Sequence, residues 1–253
     1  MENINIKEAV TLTKLSAQII LENNGETYRA EETVMFIGRS LGYDTEVISF
    51  PIGFIITIAD EEDTINTIIK RIKSRKVDLG AIHEVNDLSR KIVDGSIDIH
   101  EAIAKLRELH NKREKPSPLL YTAASLSAAA FSLLYGGGLF DAFVSAICGF
   151  LVQYVYSNFD VDDNYNFAMS LTSGAMIAII AILFVNVCNL GNTNIIITAA
   201  ITPLLPGLVM TTAIRDAMRG DLLSGLARLA EAILVAIALA FGIGAILTLF
   251  YSV

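Results

Sequence analysis

Apolar residues recur at helical spacing over about 5–23 (Val10, Leu12, Leu15, Ile19), and Asn23-Asn24-Gly25 supplies the stop. A second helical pattern runs from about Thr27 to Leu41 and ends at Gly42. The period then changes. Thr45 to Phe50 and Phe54 to Ile58 are rich in β-branched residues around Pro51-Ile52-Gly53, which predicts a hairpin, with a third strand inside 64–77. Two more helices follow, over about 81–94 and from Asp98 to about Glu114; Asp98 with Glu101 three residues on resembles a capping box. Pro116-Ser117-Pro118 marks a boundary, because proline and the residue before it both resist helix continuation.

Beyond that boundary the pattern is continuously apolar. Segments at 119–136, 139–157, 167–189, 194–213 and 227–251 are separated by glycine clusters or short polar runs. Each is near the ~20 residues that cross a hydrocarbon core of ~30 Å. The expectation is an α-helical membrane protein: an α+β domain over 1–116, then a transmembrane domain over 117–253 with about five helices.

Charge sharpens this division. Sixteen of the 19 Lys and Arg, 20 of the 27 Asp and Glu, and all three His precede Pro116. The chain is 53% hydrophobic, above the usual share for a soluble protein, and the excess lies in the charge-poor second part. The basic residues ahead of the first span, and Arg215 and Arg219 after the fourth, predict a cytosolic amino terminus. Five spans then put the carboxyl terminus outside, in a multi-pass protein of the cytoplasmic (inner) membrane. The acidic loop 158–166 is also cytosolic on this count. Residues 1–20 are polar and helix-patterned, which predicts no cleavable signal. A net charge of −8 without a basic patch gives no support for nucleic-acid binding. The run Lys70 to Lys76 is read as a solvated face, with lipid head groups as the alternative contact. Cys148 and Cys188 lie in apolar segments and are read as small packing residues.

The fourth apolar segment carries the most distinctive chemistry. Thr202-Pro203-Leu204-Leu205-Pro206-Gly207 puts two prolines and a glycine near its middle, with Thr211 nearby. Each proline removes a backbone donor and displaces the carbonyl four residues earlier, here those of Ala199 and Thr202. A broken helix at membrane depth needs protein or water around it, and transporters use such breaks to bind substrate. A plain proline kink is the alternative reading. Arg215-Asp216 and Arg228 follow, with Glu231 about one turn inside the fifth segment. Asp216 with Arg219, and Arg228 with Glu231, are spaced for ion pairs along a helix. An ionisable group within a span is a functional candidate, so Glu231 is read as a proton carrier and Arg215 or Arg228 as an attractor of an anionic substrate. All of them can equally sit at the interface and set topology. Asp141 opens the second segment, where a carboxylate suits a helix amino terminus. Small residues recur at every fourth position in the first segment (Ala124, Ala128, Ser132, Gly136) and the fifth (Ala232, Ala236, Ala240, Gly244), which predicts close helix packing within the chain or against another subunit. No zincin motif, nucleophile elbow, P-loop or dinucleotide fingerprint occurs, and the pattern calls for no catalytic residue, cofactor or metal.

Two stretches resemble a known family. Glu26-Thr27-Tyr28-Arg29-Ala30-Glu31-Glu32-Thr33 resembles the opening signature of the threonine/serine exporter (ThrE) family, with Ala30 where valine is expected. Pro203 to Gly207, then Arg215-Asp216, Gly220-Asp221, Ser224-Gly225, Arg228 and Glu231, resembles its second signature. The resemblance implies a secondary exporter of threonine and serine, or of C4-dicarboxylates such as succinate. Full-length members fuse this module to further spans, so the chain looks like the larger subunit of the split form, similar to the two-subunit succinate exporter of bacteria. That implies a small membrane-protein partner of the same family within the lipid bilayer, with homo-oligomerisation also open. The competing reading is a membrane-anchored sensor or enzyme whose soluble domain is the active part.

Overall fold

The computed structural model describes residues 5–60, 64–112, 117–158 and 166–251. The boundary at Pro116 and most of the acidic loop 158–166 lie outside the described residues. The described chain is mostly helical and divides into two compact units. One comprises Met1–Arg113 with Leu208–Leu229, the other Glu114–Gly207 with Ala230–Val253.

The first unit opens with α1 (Ile6–Glu22) and α2 (Thr27–Ser40). Asn24 stops α1 in a left-handed conformation (φ 60°), which asparagine tolerates better than most residues. The Gly25 amide then turns back to the Ile20 carbonyl at 2.9 Å. Strands β1 (Asp44–Phe50), β2 (Gly53–Ala59) and β3 (Ile65–Arg71) form an antiparallel meander. Alternation sends Phe54, Ile56 and Ile58 inward, where they join Leu12, Ile19 and Ile37 in one core. The opposite face carries a cross-strand row of exposed isoleucines, Ile48, Ile55 and Ile69. The basic run is split: Lys70 and Arg71 end β3, and Lys73 to Lys76 follow outside any helix or strand.

Helices α3 (Leu79–Val93) and α4 (Ile99–Asn111) complete the α+β part. Asp78 and Asp98 cap them through their side chains, the latter accepting from the His100 and Glu101 amides. Two further pieces belong to this unit: α9 (Gly207–Met218) from Leu208 onward, and the first two turns of α10 (Leu222–Tyr251).

The second unit holds α5 (Pro118–Leu134), α6 (Leu139–Asn158), α7 (Asn166–Cys188), α8 (Thr193–Ile201) and the rest of α10. Proline at N1 and Ser117 as the cap start α5. Its small-residue stripe faces α6: Ala128 and Ser132 are fully buried, and a Cβ on Gly149 would come within 2.6 Å of the Ala124 carbonyl. The stripe expected on the last helix divides differently. Ala232 is buried, but Ala240 is exposed and Gly244 meets nothing. Close approach to α7 uses Gly242 instead, where a Cβ would strike the Leu171 carbonyl. Cys148 packs in this unit's core, whereas Cys188 is exposed, and no disulfide joins them.

Among the described residues three helices are long and apolar enough to cross a membrane: α6, α7 and α10. α8 with its following turn and α9 make a fourth if counted as one broken span. The first expected span is the 17-residue α5, cut short before Gly136, which takes φ 84°. Large apolar side chains such as Leu126, Leu139, Leu183, Leu234 and Phe241 stay exposed around these helices, as lipid solvation permits.

Candidate functional site

The first unit gathers the opening signature stretch and the Arg215 to Arg228 part of the second, while Pro203–Gly207 and Glu231 belong to the other unit. The turn Asn24-Gly25-Glu26-Thr27 leaves α1 and enters α2, with Glu26 in extended backbone as the cap residue. Facing it is the hairpin of α9 and α10, turned at Gly220 (φ 95°). This hairpin is tight at Ser224-Gly225: a Cβ on Gly225 would lie 2.9 Å from both the Ala213 carbonyl and the Ala217 Cβ. Glycine here lets the helices close, and closure sets every side chain below.

Arg228 and Asp216 are both almost fully buried, at 1% and 0% side-chain exposure. Arg228 Nε lies 3.0 Å from Asp216 Oδ2, without the alignment of a hydrogen bond, so the pair acts through charge. The same guanidinium donates to the Gly25 carbonyl at 2.7 Å and, more distantly, to Asn24 Oδ1 at 3.5 Å. Burying two charges is costly, and the cost is offset only when they are paired and their remaining donors are used. Here the spare donors go to the signature turn.

Three further contacts fix that turn. Arg215 ion-pairs with Glu26, which also has Arg29 at 3.5 Å. Thr27 Oγ1 donates to Asp221 Oδ2 at 2.7 Å, while Asp221 Oδ1 accepts the Ser224 amide at the start of α10. The Arg219 guanidinium sits 4.2 Å from the Tyr28 ring centroid. On the far side, Glu31 Oε1 accepts from the Ser49 amide and hydroxyl, tying α2 to β1. Burial works to raise the Glu26 carboxyl, but its own backbone N–H, the Arg215 hydrogen bond and the charges of Arg29 and Arg215 outweigh it. Its pKa is therefore held below the ordinary 4.5.

The expected local pairing of Asp216 with Arg219 does not form: Asp216 takes Arg228, and Arg219 stacks on Tyr28. Spacing along one helix gave no hint of Arg228 beyond the hairpin turn, nor of Tyr28 on α2. Asn24 and Gly25 escaped sequence reasoning for the same reason; they read as a helix stop and nothing more.

The second unit holds the helix break. α8 ends at Ile201, Thr202–Leu204 make a 3₁₀ turn, and Leu205 is extended. The Thr202 carbonyl, released by Pro206, accepts the Leu205 amide at 3.3 Å, and the Gly207 amide reaches the Leu205 carbonyl at 2.7 Å. Thr202 Oγ1 bonds back to the Thr198 carbonyl and lies 3.1 Å from the Tyr135 hydroxyl. Pro203, Leu205 and Gly207 are exposed, and Pro206 is half-buried. Asp141, buried at the start of α6, accepts the Gly138 amide at 2.9 Å and the Asn192 amide at 2.7 Å, so it caps its own helix and pins the entry to α8. In the first unit, Thr211 on α9 is exposed and bonds its hydroxyl back to the Leu208 carbonyl. Glu231 is half-buried on α10, three residues beyond Arg228. Among the described residues no group of three His, Cys, Asp or Glu could hold a metal ion.

An α+β unit closed on a polar helix hairpin, with long apolar helices and a proline-broken one, marks a multi-pass membrane protein. The family described as "Putative threonine/serine exporter" matches residues 12–250, and this chain belongs to it. Among its relatives is the "Probable threonine/serine exporter" of Mycobacterium tuberculosis, 20% identical over 96% of this chain and 46% of that protein. The "Probable succinate transporter subunit YjjP" of Klebsiella aerogenes is 25% identical over 93% of both chains. "Pheromone-regulated membrane protein 10" of Pichia sorbitophila is 23% identical over 86% of this chain and 22% of its own length. The chain thus spans about half the mycobacterial relative or less than a quarter of the yeast one, but nearly all of the succinate transporter subunit. No solved structure matches.

Proposed function

We propose that this chain is one subunit of a secondary exporter of small organic acids or amino acids, of the succinate or the threonine/serine kind. In this reading five spans carry it through the cytoplasmic membrane, with the amino terminus inside, the carboxyl terminus outside, and a small membrane-protein subunit as partner. The observation that carries the proposal is the break at Thr202–Gly207, an irregular stretch in which Pro203, Leu205 and Gly207 are exposed on the chain. Irregular backbone is tolerated at membrane depth only against protein or a water-filled cavity. A partner subunit covers it, and the cavity between them carries the solute. A relative that matches over 93% of both chains is itself named a transporter subunit, which supports the same reading. Thr202, Pro203, Pro206, Gly207 and Thr211 then border the path, with Asp141, Arg215, Asp216 and Arg228 holding its framework. Glu231 is assigned the coupling proton.

The test is efflux from cells preloaded with labelled succinate or threonine, expressing this chain alone or with a small membrane protein encoded beside it. Efflux of one solute only in the pair supports the reading, and Pro203→Ala/Pro206→Ala should then lower it with the protein still in the membrane. No efflux of either solute, with both proteins present in the membrane, removes it.

A further inference from the structure

A cleft of about 320 Å³ lies between α2 and α3 within the first unit, away from the signature turn. Arg29, Glu32, Thr33 and Phe36 of α2 form one wall, with Asn86 and Arg90 of α3 opposite. Thr33 is buried at its floor, while Arg90 and Glu32 are exposed at its rim. Phe36, half exposed, supplies an apolar side. Thr33 is buried, Asn86 half-buried and Arg90 exposed; among the described residues the Thr33 hydroxyl, the Asn86 amide and the Arg90 guanidinium have no hydrogen-bond partner, so they are left to water or a ligand. A cleft that converges two guanidiniums, a hydroxyl and an amide, with one carboxylate beside them, is complementary to a specific charge pattern. The guanidiniums fit a carboxylate in the forked geometry that arginine favours, and Glu32 fits an ammonium group.

We propose that this cleft binds a small zwitterionic carboxylate, an α-amino acid being the simplest, as a regulatory site separate from the transport path. Arg29 gives the site a line of communication. It also pairs with Glu26, which Arg215 holds, so a ligand drawing on Arg29 alters the charge balance at the signature turn. The cleft is open to water, so affinity is on the order of millimolar.

The test is isothermal titration of the purified full chain in detergent with threonine, and with succinate as the comparison. Threonine should bind, and Arg90→Gln should weaken that binding by about tenfold or more, since it removes a charge-assisted contact. Asn86→Ala and Glu32→Gln should each weaken it by less, and succinate should bind less tightly than threonine in the unaltered chain. Arg90 and Glu32 are exposed, so their variants should keep the parent melting temperature, which is checked alongside. Threonine binding unchanged in both Arg90→Gln and Asn86→Ala overturns the proposal. So does succinate binding as tightly as threonine, or no heat from either solute up to about 20 mM, roughly ten times the expected dissociation constant. Because the readout is binding and not efflux, failure here leaves the transport reading standing, and the reverse also holds.

Discussion

Replacing Asp216 with Asn tests whether the Arg228 pair holds the first unit together. The change keeps side-chain size and removes the buried carboxylate that lies 3.0 Å from Arg228 Nε. Arg228 cannot follow its charge into water, because its side chain is 1% exposed and its NH2 group is bound to the Gly25 carbonyl. Stranding one member of a buried ion pair costs about 3–5 kcal/mol. For a unit of this size each kcal/mol lowers the melting temperature by roughly 2–4 °C, so the expected loss is about 10 °C. Thermal unfolding of the purified protein in detergent, followed by circular dichroism, reads this directly. Replacing both residues, Asp216→Leu with Arg228→Met, should recover much of the loss, since an apolar pair of similar volume needs no charge compensation. A single variant that melts within about 2 °C of the parent, less than the shift expected from 1 kcal/mol, would refute the reasoning. So would a double variant no more stable than the single one, because the penalty would then not be an orphaned charge.

Glu26 gives a pH test. Its pKa is lowered in the folded chain, so its stabilising contribution is complete above the unfolded value and is lost as pH falls through the folded one, below 4.5. The melting temperature of Glu26→Gln should therefore start lower at pH 6 and converge on the parent as pH falls below 4.5; parallel curves would exclude the effect. Gly174→Ala and Gly242→Ala place a Cβ against the Leu239 and Leu171 carbonyls, and each should destabilise the protein by about 1–3 kcal/mol. An unchanged melting temperature would mean that α7 and α10 are not in such close contact. Asp141→Ala leaves the Gly138 and Asn192 amides without their acceptor, and the loss of about 1–3 kcal/mol should be visible in the same assay.

The local elements were legible along the chain because their causes are local. Alternating β-branched residues give the hairpin and β3, Asp98 gives a capped helix start, and uninterrupted apolar runs give α6, α7 and α10. The prolines at 203 and 206 fix the helix break, since a missing N–H acts wherever the chain goes. Family membership was legible too, through two short stretches that read as separate features.

What joins those stretches belongs to the tertiary structure. Asp216 had Arg219 at the right spacing for an ion pair, yet it takes Arg228, because the α9–α10 hairpin turns both side chains into a water-poor space where a buried charge must find its opposite. Arg215 reaches Glu26 across 189 positions for a related reason. The small-residue stripe of the last helix likewise could not say which glycine meets α7: Gly242 and Gly244 differ by two residues, and helix rotation alone makes one a contact and leaves the other open. Period and composition determine which residues share a face of a helix. Only packing decides what that face touches, and the charges that matter most here are those that packing has removed from water.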